Sequence, residues 1–239
     1  LSNVPYLPEI LILGTFNPKI KGNNPEFFYG RNYLWPALFN IFKFGKIHFT
    51  KKRSNYYPPE PSFVDILTFC KSNNIVFADL ISEILHYESP VYTINESENR
   101  GKKIQEITYL GDIYNSINDS KKKDKSGKIS LGLAELAALG QVNWIDKEII
   151  EYLQVHDTIN TVYITRNPTG VFLEKWKNIC NPNHYKREID FRRIFTPSGQ
   201  GSAKGYQKMD YIIKHWLNKL PKNSNFEGFN IEWTHKSKI

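Results

Sequence analysis

The stretch that decides the fold is Glu9 to Pro36, EILILGTFNPKIKGNNPEFFYGRNYLWP. It opens with Glu9 and a short continuous apolar run, Ile10 to Leu13, of the kind typical of a strand buried on both faces of a sheet. The run stops at Gly14, and the turn-forming pair Asn17-Pro18 follows. A parallel strand that ends in such a turn places its next residues at the carboxyl edge of the sheet, where open α/β proteins bind ligands. The sequence therefore predicts a ligand site directly after the first strand.

Strand and helix patterns alternate along the rest of the chain. Short apolar runs predict further strands at 75–79, 161–165 and 191–195. Apolar residues at helical spacing predict helices at 35–44, 63–72, 144–156, 170–180 and 203–220. Because strands that alternate with helices form parallel sheets with right-handed crossovers, we expect an α/β fold with a four-stranded, mainly parallel sheet. One domain over 1–239 is expected, with an insertion around 86–141, where the pattern blurs into short helical pieces.

Composition and charge narrow the class of partner. The 239 residues can bury one sizeable core. The formal net charge is +8 and the isoelectric point is about 9.2, which suits a polyanionic partner. Solvated lysines on an ordinary surface are the plain alternative. Aromatic residues make up 14% of the chain, and nucleic-acid bases stack on aromatic rings.

Cysteine and histidine usage argues against a metal. Cys70 and Cys180 both lie in apolar helical patterns and are expected to be buried free thiols. Two cysteines cannot hold a four-cysteine iron–sulfur cluster, and the six histidines lack zinc-ligand spacing. We therefore expect no iron–sulfur cluster and no protein-bound zinc. No apolar run approaches about 18 residues, and no secretory signal pattern is present, so a cytoplasmic protein without a membrane partner is expected.

A second stretch, RIFTPSGQGSA at 193–203, repeats the arrangement of the first. A predicted strand ends in the turn Thr196-Pro197-Ser198, small residues follow, and a helix begins. Small residues let a backbone approach a ligand closely, and a helix N-terminus favours an anion. Most turns of this kind are ordinary strand-to-helix connectors, so this stretch gains weight only beside the first one.

The first stretch resembles the first motif of the uracil-DNA glycosylase superfamily. The family order is a strand, a polar turn, an aromatic residue and an N-x-F-W helix start. The corresponding residues here are Gly14, Asn17-Pro18, Phe28-Tyr29 and the N-Y-L-W of 32–35. This resemblance implies a three-layer α/β/α fold. It also implies a monofunctional, monomeric DNA glycosylase that hydrolyses the N-glycosidic bond of a deaminated base, of uracil or hypoxanthine type, without a cofactor.

The second stretch is similar to the family loop that enters the minor groove, pinches a phosphate and fills the gap left by the flipped base. Pro197-Ser198 and Ser202-Ala203 correspond to that loop in outline. The resemblance implies contacts with DNA, which is the expected partner. The residues concerned are Arg31, Pro197, Ser198, Gly199, Gln200 and Ser202.

Two departures from the family pattern bear on activity. Thr15-Phe16 separates Gly14 from Asn17, where the uracil-type and mismatch-type branches have a single residue. The G-T-F order is closer to the G-S-F-P of the hypoxanthine-type branch. Phe195-Thr196 stands where some branches carry a histidine. A nucleic-acid-binding protein of the same fold without hydrolytic activity is therefore the alternative function.

The resemblance implies roles for four residues near the first motif. Asn17 is the candidate to orient the attacking water, and Asn32 is the reserve candidate. The alternative is a structural role, in which Asn17 forms a turn and Asn32 caps a helix. Phe28 and Tyr29 are candidates to stack on the extruded base, with packing of the loop as the alternative.

Asp79 ends the second predicted strand, where the family places an Asn or Asp that reads the base edge. An ionised carboxylate can only accept hydrogen bonds, so it would repel a base carbonyl. The substrate base can therefore be a deaminated purine as well as uracil. Helix capping is its plain reading. A small-molecule or nucleotide-binding α/β protein is a third possibility, weakened by the absence of G-x-G-x-x-G and of a P-loop.

Overall fold

The structure, a computed structural model, describes ten stretches of the chain: residues 4–16, 33–44, 62–85, 90–99, 102–111, 122–123, 129–130, 132–197, 208–217 and 225–230. The chain divides into two units. The first contains 1–80, 146–167 and 179–239, and the second contains 81–145 and 168–178. The second unit includes the segment that the sequence analysis treats as an insertion. A single domain with an insertion stays a prediction.

The described elements alternate between strands and helices. In chain order they are β1 (Ile10–Gly14), α1 (Leu34–Phe39), α2 (Phe63–Ser72), β2 (Ile75–Asp79), β3 (Ile81–Ile84), β4 (Pro90–Asn99), β5 (Lys102–Gly111), β6 (Lys122–Lys123), β7 (Ile129–Ser130), α3 (Leu133–Ala138), β8 (Val142–Trp144), α4 (Asp146–Val155), β9 (Thr161–Ile164), α5 (Val171–Ile179), β10 (Asp190–Arg193) and α6 (Lys208–Trp216). A π-helical turn, Asn40–Phe44, continues α1, and a 3₁₀ turn, Pro182–His184, precedes β10.

The first unit is built on a four-stranded sheet with the order β10-β9-β1-β2. Every neighbouring pair in it is parallel. This confirms the predicted α/β class and the mainly parallel four-stranded sheet. The register sets Ile10 opposite Ile75 and Thr161, so β1 is a central strand with a partner on each side.

Both faces of this sheet are buried. Leu11 and Leu13 on one face of β1, and Ile12 on the other, are fully inaccessible to solvent. The face that carries Ile12 packs on residues of α1, α2 and α6. Burial on both faces is what a continuous apolar run predicts for a parallel strand.

Aromatic rings fill the layer between the sheet and these helices. Trp35 of α1 meets Phe77 of β2 edge to face at 5.1 Å, and it is only 2% exposed, as expected of a core residue. Phe39 stacks on Phe69 of α2 at 5.0 Å. The indole N–H of Trp216 donates to the carbonyl of Phe195 over 2.7 Å, which ties α6 to the segment after β10.

Local sequence signals explain where α2 begins. The Ser62 hydroxyl accepts from the backbone N–H of Asp65, and the Asp65 carboxylate accepts from the backbone N–H of Ser62. This reciprocal capping box satisfies two donors that a helix start leaves open.

Near the other end of the helix, Cys70 is buried, and burial raises the pKa of its thiol to about 12. Cys180 is also a free thiol and is partly buried.

The second unit contains antiparallel strands that the sequence analysis missed. β4 and β5 form a ten-residue ladder from the pair Pro90–Gly111 to the pair Asn99–Lys102, and β4 also pairs with β7. β3 pairs with β8. Many polar residues in β4 and β5 obscure the alternation that would have marked them as strands. Among the described residues, no helix combines the length and the apolar character that crossing a membrane requires.

Replacement of Leu11 by Ala is expected to lower the free energy of unfolding by about 2–5 kcal/mol, because it leaves a cavity in the middle of the central strand. Leu7→Ala is the matched control, since Leu7 is 70% exposed and Leu11 is fully buried. Urea unfolding followed by tryptophan fluorescence measures both values. Equal losses for the two variants would contradict the central position of β1.

Candidate functional site

The strand order creates a topological switch point beside β1. From β1 the chain passes to β2 on one side, and the next strand of the sheet, β9, lies on the other side. In open α/β sheets, ligands bind in the crevice outside the carboxyl ends of the strands where the order reverses in this way. Here that crevice lies between the ends of β1 and β9, at Gly14-Thr15 and Thr165-Arg166.

Hydrogen bonds join three strand ends at this edge. The backbone N–H of Thr165 donates to the carbonyl of Leu13 over 2.9 Å, and its hydroxyl donates to the same carbonyl over 3.1 Å. On the other side of β1, the N–H of Leu80 donates to the carbonyl of Gly14 over 3.1 Å. The ends of β9, β1 and β2 are therefore adjacent, as the sequence analysis expects of parallel strands.

The side chain of Arg166 reaches from the end of β9 to the segment that follows β1. Its Nη1 donates to the hydroxyl of Thr15 over 3.2 Å, and both residues are partly buried. The guanidinium is therefore held against the segment that leads from β1 to Asn17. The sequence analysis did not assign a role to either residue.

The fourth strand end is tied to the start of α1. The backbone N–H of Tyr33 donates to the carbonyl of Pro197 over 2.8 Å. Tyr33 directly follows Asn32, and Pro197 is the first described residue of the predicted DNA-contacting loop. The two motifs, which lie more than 150 residues apart in the sequence, are thus in direct backbone contact. Pro197 itself is buried, so its contact with DNA stays a prediction.

Asp79 is the one predicted base-reading residue within the described part of the chain. It ends β2 opposite Gly14 and follows Phe77 on the same face of the strand. Its Oδ1 is inaccessible to solvent and has no hydrogen-bond partner among the described residues. Burial raises the pKa of this carboxyl to about 7, far above the ordinary value of 3.8. The residue paired with Asp79 on β1 is Gly14, which has no side chain.

A carboxyl with a pKa of about 7 is substantially protonated at neutral pH. The protonated form has one O–H donor and a carbonyl acceptor, as an amide has one N–H donor group and one acceptor. Asp79 can therefore serve both a C=O and an N–H of a ligand. This removes the objection that an ionised carboxylate would repel a base carbonyl.

The segment after β10 contains an aromatic residue, Phe195, that packs against α6. Phe195 is buried and stacks on His215 of α6, with ring centres 4.6 Å apart and planes 8° from parallel. His215 Nε2 is inaccessible and has no hydrogen-bond partner among the described residues. Burial lowers the pKa of His215, which favours the neutral ring. Phe195 and His215 thus pack α6 onto the end of β10.

Most of the predicted site residues lie outside the described part of the chain. They are Asn17, Phe28, Tyr29, Arg31, Asn32, Ser198, Gly199, Gln200 and Ser202. Their roles stay predictions. Within the described residues, no group of three or more His, Cys, Asp or Glu side chains could hold a metal ion.

Comparison of the chain with protein-family models, with curated proteins and with solved structures found no match. Any functional inference therefore depends on the residues at the carboxyl edge of the parallel sheet.

Asp79→Asn is expected to stabilise the protein above pH 7, by roughly 1–3 kcal/mol, a value discounted because Asp79 is only partly buried. The folded-state pKa of about 7 lies above the ordinary 3.8. Between these values the folded chain holds a proton that the unfolded chain has lost, so wild-type stability falls as the pH rises. The gap between variant and wild type should therefore widen from pH 4 to pH 8 in urea unfolding.

Asp65→Asn is a control of opposite sign. Hydrogen bonds from Ser62 lower the pKa of Asp65, so its carboxylate stabilises α2 above the ordinary pKa and loses that effect as the pH falls. This variant should be less stable than wild type near neutrality, with a smaller difference at acid pH. A gap for Asp79→Asn that does not change with pH would show that its carboxyl is not held neutral by burial.

Proposed function

We propose that the protein is a DNA glycosylase that hydrolyses the N-glycosidic bond of a deaminated base in DNA. The observation that carries this proposal is Asp79, whose buried carboxyl oxygen has no hydrogen-bond partner among the described residues. Buried polar groups are nearly always hydrogen-bonded, so one that is left open at the carboxyl edge of a parallel sheet is well suited to bind a ligand.

The ligand edge that suits a protonated carboxyl is a lactam, which offers a C=O next to an N–H. Uracil and hypoxanthine both have this edge as a result of deamination. Cytosine and adenine instead have a ring nitrogen acceptor beside an amino group. Asp79 would then donate to the base carbonyl and accept from the ring N–H, beside Gly14, which has no side chain.

Hydrolysis needs a water held against the sugar while the base departs. Asn17 lies two residues beyond Thr15 and is the candidate to orient this water, with Asn32 in reserve. Asn32 precedes Tyr33, whose backbone is bound to Pro197, so the reserve candidate also belongs to the joined motifs. A neutral amide is a weak base, so electrostatic stabilisation has to supply most of the rate.

Recognition of DNA fits the remaining predicted residues. An extruded base loses its stacked neighbours, and Phe28 and Tyr29 are candidates to replace them. Arg31 and the residues of the second motif would contact phosphates, which fix position without reading sequence. The net charge of +8 favours a polyanion. We propose that the protein acts on DNA as a monomer in the cytoplasm, without a metal or cofactor.

One observation favours a second candidate, a protein that binds nucleic acid without cleaving it. Phe195 lies in the core where some branches of the superfamily carry a histidine, so that histidine has no equivalent at this position. Under this alternative, the same edge would bind an unstacked base but would not break its bond to the sugar.

Excision assays separate the two candidates. Oligonucleotides with a single uracil, hypoxanthine or xanthine are incubated with the protein and then treated with alkali, which cleaves the strand at abasic sites. Asn17→Ala is expected to slow excision at least tenfold, a modest value for loss of a water-orienting group, with DNA affinity nearly unchanged. The exposed Asn183 provides the control Asn183→Ala. An unchanged rate for Asn17→Ala would move the role to Asn32, and DNA binding without any scission would favour the binder.

The pH dependence of excision tests the neutral carboxyl. The wild-type kcat/KM should fall as the pH rises through about 7, because Asp79 then loses its donor proton. Asp79→Asn keeps a hydrogen-bond donor and an acceptor at every pH, so its kcat/KM should not fall as the pH rises through 7. Relative to wild type, Asp79→Ala should lose roughly tenfold below pH 7, the value of two hydrogen bonds, and less above pH 7, where the wild-type carboxyl has lost its donor proton. If kcat/KM of Asp79→Asn falls above pH 7 as it does in wild type, the titrating group is not Asp79.

A further inference from the structure

One buried histidine connects α6 with two segments that pack against it. His215 of α6 is 8% exposed, and its Nε2 is inaccessible to solvent and has no hydrogen-bond partner among the described residues. Its ring stacks on Phe195, just after β10, with centres 4.6 Å apart, and meets the ring of Phe226 edge to face at 5.9 Å. Tyr211, a titratable residue one turn earlier in α6, also meets it edge to face, at 4.6 Å. Aromatic contacts of His215 therefore join α6 to both segments.

The neutral imidazole suits this environment, and the protonated ring does not. A neutral ring with its proton on Nδ1 leaves Nε2 as an acceptor, whereas protonation places an N–H donor on Nε2 as well. A buried donor without an acceptor is costly, and a buried charge costs more. The face of Phe195 attracts a cation, but it accepts a hydrogen bond far more weakly than water does. Burial accordingly lowers the pKa of His215.

The charged groups near His215 do not offset this cost. On α6 itself, Lys214 pairs with Asp210 over 2.7 Å. On the segment that contains Phe226, the next residue, Glu227, pairs with an arginine of β10. The residues described between β10 and the second motif's Ser198, and those of α1, include no ionisable side chain. Burial is the one cause of the lowered pKa of His215, with no contribution from either ion pair.

The contacts of His215 lie next to the junction of the two sequence motifs. The indole N–H of Trp216, the next residue of α6, donates to the carbonyl of Phe195 over 2.7 Å. Two residues beyond Phe195, the carbonyl of Pro197 accepts from the backbone N–H of Tyr33 over 2.8 Å. A movement of α6 away from Phe195 therefore acts on the segment that ties the end of β10 to the start of α1.

We propose that His215 is an acid-sensitive switch, whose neutral ring holds α6 on the segment after β10 and whose protonation releases α6 by local opening. The proton comes from the solvent and binds to Nε2, and no covalent bond of the chain breaks. Because the pKa of His215 is lowered in the packed state, the released state binds this proton more tightly. Packing is therefore complete above the ordinary pKa of 6.5 and is lost progressively as the pH falls below it. The switch does not depend on the proposed glycosylase function.

Hydrogen exchange of the whole protein, followed by NMR, measures the release. The reporters are the backbone N–H of Tyr33 and the indole N–H of Trp216, which is identified by its absence in Trp216→Phe. Their protection factors, which compare measured with intrinsic exchange rates, should fall below pH 6.5 by up to about tenfold per pH unit, since release takes up one proton. The backbone N–H of Ile12 in the central strand is the internal control and should stay protected.

Two variants isolate the titrating group. His215→Phe keeps an aromatic ring on Phe195 but has no titrating nitrogen, so its protection factors should not change with pH. Phe226→Leu is the matched control, because it weakens the same cluster. It should lower protection at every pH and keep the additional decrease in acid.

If circular dichroism shows that His215→Phe does not fold, the imidazole of the wild-type protein is titrated instead, through the chemical shift of its ring protons. Its midpoint should lie below 6.5, and the fall in protection should level off at that midpoint.

Four outcomes would overturn the proposal. Equal pH dependence in wild type and His215→Phe would remove His215 from the switch. A dependence that is lost in Asp210→Asn would assign it to the ion pair with Lys214. An imidazole that titrates at or above 6.5 would show that packing does not keep the ring neutral. A simultaneous loss of protection at Ile12 would indicate global unfolding in acid rather than local release of α6.

Discussion

The structure depends on the pairing of one short strand, β1, with a parallel partner on each side. Its side chains are inaccessible on both faces, so the strand can exist only where helices or loops cover the whole sheet. The same pairing brings the ends of β2 and β9 to the end of β1, through the carbonyls of Leu13 and Gly14. The meeting of these three strand ends is therefore a direct consequence of burying the Ile10–Leu13 run.

Asp79 and Arg166 lie at the ends of the two strands that flank β1. Asp79 keeps a buried carboxyl oxygen that no described residue bonds, which costs stability when the carboxyl is ionised. On the other side of β1, Arg166 donates to the hydroxyl of Thr15. A folded protein gains nothing from the first of these features unless a ligand satisfies it, and a base with a lactam edge would do so. Burial of the Asp79 carboxyl would then have two effects. It lowers the stability of the protein when the carboxyl is ionised, and it lets the carboxyl bind a lactam edge.

Much of the fold could be predicted from the sequence because the first-unit elements have clean periodicity. The predicted α2, 63–72, has the bounds that the structure gives, since its Ser62 cap and apolar spacing are both local signals. The antiparallel ladder of β4 and β5 was missed because its pairing joins residues whose polar character hides the strand pattern. The contact between Arg166 and Thr15 was not predicted because it arises from the strand order β10-β9-β1-β2, which no single segment encodes. Asp79 could be placed at a strand end, but its burial, and hence its raised pKa, requires the packed structure.

The central claim is that the ends of the parallel strands receive one unstacked base. A crystal structure of the protein with duplex DNA containing a non-hydrolysable 2′-fluoro-deoxyuridine tests this directly. The uracil is predicted to lie outside the helix, with its carbonyl and ring N–H within hydrogen-bond distance of Asp79. A uracil that remains stacked in the duplex, or DNA bound away from the carboxyl edge of β1, would contradict it.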